Sequence, residues 1–162
     1  MKIVIILGID PGTTSIGYAA IDGEIGEPRL LTADLIRIPG GSTPQKLLDL
    51  HERLAGILKE MGPDLVAVER LFFAKNQKTA MAVAEARGVI LLTSSLARIR
   101  VLEYTPLEVK KLVAGYGNVD KAQLKKAVIL TLPQARNISG PDDVFDAIAI
   151  ALACFYMERR KF

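Results

Sequence analysis

The chain has one cysteine, one histidine and no tryptophan among its 162 residues. An internal disulfide is therefore excluded, and a zinc site built from cysteine and histidine is not expected. Cys154 lies in an apolar stretch with no histidine or basic residue beside it, so we expect a buried structural thiol rather than a nucleophile. A chain without disulfides is typical of the cytoplasm.

The chain also lacks an uninterrupted apolar run of the roughly 18 residues that a membrane-spanning helix requires. Its apolar start, residues 3–9, is followed at once by Asp10 and Pro11, which makes it too short for a secretory signal with a cleavage site. We therefore expect a cytoplasmic protein that does not enter a membrane. Hydrophobic residues still form 50% of the composition, which is enough for one well-packed core.

Charge is nearly balanced, with 21 Lys and Arg residues against 18 Asp and Glu residues and a net charge of +3. If several acids gather in one site, the remaining surface becomes clearly basic. An acidic pocket on a basic surface suits a protein that binds a polyanion and carries out metal chemistry on it. The total charge alone does not establish this function.

Turn residues and hydrophobic periodicity divide the chain into five predicted strands and five predicted helices. Short segments with Gly and Pro separate the first three strands, which predicts an antiparallel meander. Strands and helices alternate after that, as is typical of parallel pairing. We predict one α/β domain over residues 1–162, with a five-stranded mixed sheet (three antiparallel strands, then parallel strands) flanked by helices. The predicted strands are 3–9, 16–22, 29–38, 64–69 and 99–104, and the predicted helices are 43–61, 76–97, 105–114, 121–132 and 141–158.

Two carboxylates open the last predicted helix, which is otherwise apolar. Asp143 and Asp146 are three residues apart and share a helix face. That face continues through Ile150, Ala153 and Met157 and should point into the core. An acid in the first turn complements the helix dipole, but Asp146 lies beyond that turn. An unpaired carboxylate that faces a core is unfavourable, so a cation must offset it. We expect the lysines elsewhere, on phosphate-binding surfaces, which leaves metal ions as the partners.

Two further acids end predicted strands: Asp10 follows the first strand and Glu69 ends the fourth. Neighbouring strand ends at one sheet edge, with a helix start packed over them, would bring both acids to Asp143 and Asp146. Four clustered carboxylates cannot all ionise without cations, and oxygen-only ligands favour Mg²⁺ or Mn²⁺ over zinc. Two such ions can clamp the attacking and leaving oxygens of a phosphodiester, so the pattern predicts metal-dependent phosphoryl-transfer hydrolysis. Asp142, four residues before Asp146, remains an alternative to Asp143.

Short motifs spread over nearly the whole chain carry a family resemblance. They are IDPG at 9–12, VE at 68–69, FFAKN at 72–76, ARG at 86–88, VK at 109–110, DKAQ at 120–123 and DVFDAIAIA at 143–151. Each motif is weak alone, but the set, in this order and spacing, resembles the bacterial RuvC Holliday-junction resolvases. The resemblance implies an RNase H-like fold, a homodimer and paired symmetric nicks across four-way junction DNA that leave 5′-phosphate and 3′-OH ends. It also implies the branch-migration proteins RuvA and RuvB as partners.

The same resemblance assigns roles to the acids. Asp10, Glu69, Asp143 and Asp146 match the family's acidic metal-binding tetrad, which holds two Mg²⁺ (or Mn²⁺) ions. One ion would activate water and the other would stabilise the departing 3′ oxygen. The spacing of the family motif favours Asp143 over Asp142.

DNA contacts are assigned partly by resemblance and partly by position. The resemblance places Phe72 where the family stacks an aromatic ring on a junction base, and it matches Lys110 and Lys121 to phosphate-binding lysines. It also implies that the helix over 76–97 forms the dimer contact. Phe73 follows Phe72, and two aromatics beside a strand are also compatible with core packing. The full predicted DNA-binding set is Arg70, Phe72, Phe73, Lys75, Lys110, Lys121 and Lys125.

Three alternatives compete with a junction nuclease. An actin-like kinase or ATPase also runs its first strand into a phosphate loop, but such folds need two duplicated halves and the chain has no internal repeat or Walker-type loop. A related nuclease that acts on a different nucleic acid would share most of the pattern. A catalytically silent junction-binding scaffold is disfavoured by the intact set of four acids, because binding alone would select against negative charge beside phosphates.

Overall fold

A computed structural model describes residues 3–24, 27–70 and 77–158. Its centre is a five-stranded sheet with the strand order β3-β2-β1-β4-β5. β1 pairs with β2, and β2 with β3, in antiparallel fashion, whereas β4 is parallel to β1 and β5 is parallel to β4. The predicted mixed sheet is therefore confirmed. The strands are β1 Val4–Asp10, β2 Ser15–Glu24, β3 Glu27–Arg37, β4 Leu65–Glu69 and β5 Arg100–Tyr104.

The helices cover both faces of the sheet and lie within two residues of their predicted bounds. One short 3₁₀ helix, Pro133–Asn137, was not predicted, because five residues are too few to show a helical period. The α-helices are α1 Thr43–Met61, α2 Gln77–Leu96, α3 Pro106–Ala114, α4 Lys121–Thr131 and α5 Asp142–Glu158.

Capping residues determine where α3 and α4 begin. Thr105 and Glu108 form a capping box at the start of α3, with a 2.7 Å bond from the Thr105 backbone amide to the Glu108 carboxylate. Asp120 and Gln123 form the same arrangement at the start of α4, with bonds of 2.8 and 2.9 Å. The first residue of α4 is therefore Lys121, and its position follows from the cap.

Two apolar layers sandwich the sheet. One layer packs α1 and α2 against one face, and the other packs α3, α4 and α5 against the opposite face. α5 is buried on all sides over most of its length, including Cys154, as predicted. In the last turn of α5, Met157 is 51% exposed, although the next residue, Glu158, is buried. The prediction that Met157 faces the core is therefore wrong.

Glycines let α5 lie directly on the strands. A Cβ atom at Gly17 of β2 would collide with the backbone carbonyl of Asp143, and a Cβ atom at Gly8 of β1 would collide with the carbonyl of Ala147. Gly17 is also the ladder partner of Asp10. The start of α5 is thereby held against the end of β1.

α2 differs from the other helices in its exposed apolar face. Among the described residues, its segment Thr79–Leu96 is long and apolar enough to cross a membrane by length and composition alone, and 22% of that segment is buried. It includes two charged residues, however, and one of them, Arg87, pairs with Glu103 of β5. α2 packs on α1 and β5, so it is a layer of this fold with one side open. The large exposed side chains on that side are Met81, Leu92 and Leu96.

Candidate metal and nucleic-acid site

The carboxyl ends of two neighbouring strands place Asp10 and Glu69 at one edge of the sheet. β1 and β4 are parallel and in register, and each ends at its acid. α5 begins above this edge, because its first turn packs on Gly17. Strand ends and a helix start therefore converge as the sequence predicted.

Three of the four predicted acids form a compact group. One carboxylate oxygen from each of Asp10, Asp143 and Asp146 lies within 4.8 Å of the others. Glu69 is not in this group, but it lines a pocket of about 300 Å³ together with Asp146. The negative charge of Glu69 also contributes to the raised pKa of Asp10. All four acids therefore belong to one electrostatic site.

Burial and mutual repulsion disfavour ionisation of Asp10, Glu69 and Asp146. Burial raises the pKa of Asp10 to about 8, and the negative charges of the three neighbouring acids add to the rise. Burial likewise raises the pKa of Glu69 to about 7, with the charge of Asp146 adding to it and two nearby lysines opposing it. Burial also raises the pKa of Asp146. A cation beside these oxygens would remove the repulsion, and a donor set of carboxylates alone fits a hard divalent ion.

Lys121 is close to the acids, contrary to the expectation that the lysines lie elsewhere. Its Nζ is 3.5 Å from Oδ2 of Asp142 and 3.5 Å from Oδ2 of Asp146. The cap at Asp120 explains this position, because it begins α4 beside the first turns of α5. Partial burial works to lower the pKa of Lys121, but the two adjacent carboxylates outweigh it and the pKa is raised. A lysine therefore offsets part of the charge of Asp146.

The structure separates Asp142 from Asp143. Asp143 contributes to the compact group with Asp10 and Asp146. The side chain of Asp142 is 63% exposed and lies at the outer edge, against Lys121. This arrangement favours Asp143 as the ligand, in agreement with the spacing of the family motif.

The other predicted DNA-binding residues are distributed around this site. Lys110 lines the 300 Å³ pocket beside Glu69 and Lys121. The Nζ of Lys125 lies 4.1 Å from the centre of the Phe145 ring, so its ammonium group makes a cation–π contact. Phe72, Phe73 and Lys75 lie outside the described residues.

Arg70 is tied to a charge network that the sequence did not predict. Its Nε is 3.8 Å from Glu103, and Arg87 of α2 forms an ion pair with the same carboxylate. Nε of Arg87 is a buried nitrogen without a hydrogen-bond partner among the described residues. The network joins α2 to the residue that follows Glu69. The ARG motif at 86–88, which contains Arg87, is the sequence feature that could have indicated this network.

Comparisons with known proteins agree with the fold and with the family resemblance. Residues 6–154 match the RuvC family, described as crossover junction endodeoxyribonuclease RuvC. A protein of that name from Moorella thermoacetica is 44% identical over 152 residues, covering 92% of this chain and 89% of the relative. Another from Chloroflexus aurantiacus is 46% identical over 151 residues, covering 93% of this chain and 92% of the relative.

A solved structure, Thermus thermophilus RuvC in complex with Holliday junction substrate, matches with a TM-score of 0.90 and 28% identity. The match covers 98% of this chain and 96% of the other. The resemblance identified from the motifs is therefore confirmed over most of the length of both proteins. This chain belongs to the RuvC family of crossover junction endodeoxyribonucleases.

Proposed function

We propose that this chain is a cytoplasmic, structure-selective endodeoxyribonuclease that resolves Holliday junctions by paired symmetric nicks, with residues 1–162 acting as one nuclease domain. The observation that carries the proposal is the group formed by Asp10, Asp143 and Asp146, whose carboxylate oxygens converge within 4.8 Å at a sheet edge. The names of the relatives support it, since they are crossover junction endodeoxyribonucleases and one was solved with a junction substrate.

The carboxylates fit a pair of Mg²⁺ or Mn²⁺ ions, because they offer oxygen ligands only and the ionisation of Asp10, Glu69 and Asp146 is disfavoured without cations. Asp10, Glu69, Asp143 and Asp146 would hold them. Ions bound there would supply Lewis acidity for the activation of water and for stabilisation of the 3′ oxygen in phosphodiester hydrolysis, which would leave 5′-phosphate and 3′-OH products.

The chain's own residues would position the DNA. Lys110 and Lys121 stand at the pocket that holds Glu69 and Asp146, where their ammonium groups can bind the phosphates that flank the cut. Arg70 and Lys125 would extend this basic rim. Phe72, Phe73 and Lys75 complete the proposed set, with Phe72 stacking on a base at the junction.

Paired nicks require two copies of the site, and we propose a homodimer that forms through α2. Its open face carries Met81, Leu92 and Leu96, which a partner would cover. An apolar face of this kind is typical of protein interfaces. RuvA and RuvB are proposed as further partners, which would deliver the junction to the dimer.

The activity is tested by nicking of a mobile four-way junction with and without Mg²⁺, beside a linear duplex of the same sequence. We expect paired, metal-dependent nicks in the junction and little cutting of the duplex. Asp146→Asn should reduce nicking by more than about 100-fold, since it removes a metal ligand, while junction binding stays near that of the wild type. Asp49→Asn, on the surface of α1, is the matched control and should cut normally.

Junction binding without any metal-dependent nick would favour a scaffold protein and contradict the proposal. Equal cutting of the junction and the linear duplex would contradict the structure selectivity. Nicking by Asp146→Asn at the wild-type rate would show that the site assignment is wrong.

A further inference from the structure

Lys121 has two acidic partners that differ in their surroundings. The side chain of Asp146 is 25% exposed and belongs to the converging carboxylates. The side chain of Asp142 is 63% exposed and stands outside them. Both carboxylates are 3.5 Å from the same Nζ. One ammonium group therefore bridges a carboxylate of the site and a carboxylate of its rim.

A divalent cation held by Asp146 would repel this ammonium group, because two positive charges a few Å apart disfavour each other strongly in a half-buried site. Lys121 then has to withdraw from Asp146. Asp142 already holds Lys121 from the solvent side, and it lies on the same face of α5, four residues before Asp146. Withdrawal toward Asp142 needs no new contact.

We propose that Asp142 is a positioning residue for Lys121, which keeps the ammonium group at the rim of the pocket when a divalent cation replaces it at Asp146. The inference rests on the proposed function, since it requires that the carboxylates bind such a cation. Asp142 acts through Lys121 and contacts neither the cation nor the DNA. Without Asp142, Asp146 is the one of these two carboxylates that remains for Lys121. The ammonium group then competes more strongly with the cation for Asp146.

A second account of Asp142 makes a different prediction. As an exposed acid, it would also attract cations through its general electric field, and that effect would not depend on Lys121. The two accounts are separated by removing Asp142 in the presence and in the absence of the lysine. This is a double-mutant cycle between two residues in contact.

The experiment measures divalent-ion binding without DNA, through the rise in unfolding temperature with Mg²⁺ or Mn²⁺ concentration. The proteins are the wild type, Asp142→Asn, Lys121→Met and the double variant. We expect Asp142→Asn to weaken ion binding about threefold and Lys121→Met to strengthen it, as for exposed ion pairs. In the Lys121→Met background, Asp142→Asn should change binding less than about 1.5-fold. Asp142→Glu should restore wild-type binding, since it keeps the carboxylate.

Equal weakening in both backgrounds would overturn the inference in favour of the field effect. Unchanged or stronger ion binding by Asp142→Asn would overturn it as well, and so would a wild-type protein that neither ion stabilises. Nicking is measured separately. A protein that shows the expected cycle but does not cut junctions would contradict the proposed function and leave this inference standing.

Discussion

Gly17 of β2 lies against the backbone carbonyl of Asp143, so closely that a Cβ atom at position 17 would collide with that oxygen. Gly17 also pairs with Asp10 across the β1–β2 ladder. One glycine therefore sets the distance between the acid at the end of β1 and the helix that carries Asp143 and Asp146. The contact is between two backbones, so a change of rotamer cannot relieve it.

Gly17→Ala should move the start of α5 away from the sheet. We expect a loss of about 1–3 kcal/mol in the free energy of unfolding, because the core has no room for an added methyl group. We also expect a loss of about 100-fold in nicking, since displacement of about 1 Å disrupts a catalytic arrangement. Urea denaturation and junction nicking measure the two effects.

The control is Gly56→Ala in α1, where a Cβ atom meets nothing within 4 Å. This variant should nick junctions at the wild-type rate. Its free energy of unfolding should rise by about 0.5–1 kcal/mol, because alanine is more favourable than glycine in a helix. If Gly17→Ala behaves like Gly56→Ala, the close approach of α5 does not limit the site.

The pKa values of Asp10 and Glu69 predict how the metal-free protein responds to pH. Both pKa values are raised, to about 8 and about 7, so the folded protein holds protons that the unfolded chain releases from about pH 4 upward. Stability without metal should therefore fall as the pH rises from 5 to 9. Unfolding temperatures in EDTA measure this change.

Asp10→Asn provides the comparison for the pH effect. Asparagine does not titrate, so the substitution removes the carboxyl group of the site with the highest pKa and one negative charge. The variant should therefore lose less stability over the same pH range and be more stable than the wild type at pH 9. Added Mg²⁺ should stabilise the wild type more at pH 9 than at pH 6, because the ion binds the ionised carboxylates. A wild-type stability that rises with pH in EDTA would contradict the raised pKa values.

Lys121 is predicted to contact phosphate once DNA is bound. Lys121→Ala should weaken junction binding and lower the slope of log affinity against log salt concentration by about 1. Lys59→Ala, on α1 across the sheet, should leave the slope unchanged. Fluorescence anisotropy in Ca²⁺ at several salt concentrations measures the slopes. Equal slopes for Lys121→Ala and the wild type would remove Lys121 from the phosphate contacts.

Glu103 is predicted to be important for stability because it offsets two arginines. Glu103→Gln leaves the half-buried guanidinium of Arg87 without its ionic partner. The free energy of unfolding should fall by about 2 kcal/mol, which is less than the loss for a fully buried pair. Asp49→Asn breaks the exposed pair with Arg53 and should cost under about 0.5 kcal/mol. Urea denaturation measures both. Equal small losses would mean that the network does not contribute to stability.

Much of the fold follows from local patterns in the sequence. The meander was predicted from β-branched runs between Gly and Pro, and the helices from their hydrophobic periodicity. The 3₁₀ helix and the exposure of Met157 were not predicted. A five-residue turn has no period, and which side of the last turn of α5 is covered depends on the segments packed against it.

For the acids in the first turns of α5, the sequence likewise predicted the local feature, and the tertiary structure set the distances to other segments. Their type and spacing in the sequence predicted that Asp143 and Asp146 share a face and require a cation, since that depends on helix geometry alone. Which cation lies nearest depends on the packing of α4 against α5, which puts Lys121 at Asp146. The separation of Asp142 from Asp143 likewise depends on how closely α5 lies on Gly17. These are contacts between segments far apart in the chain, and only the tertiary structure sets the distances between them.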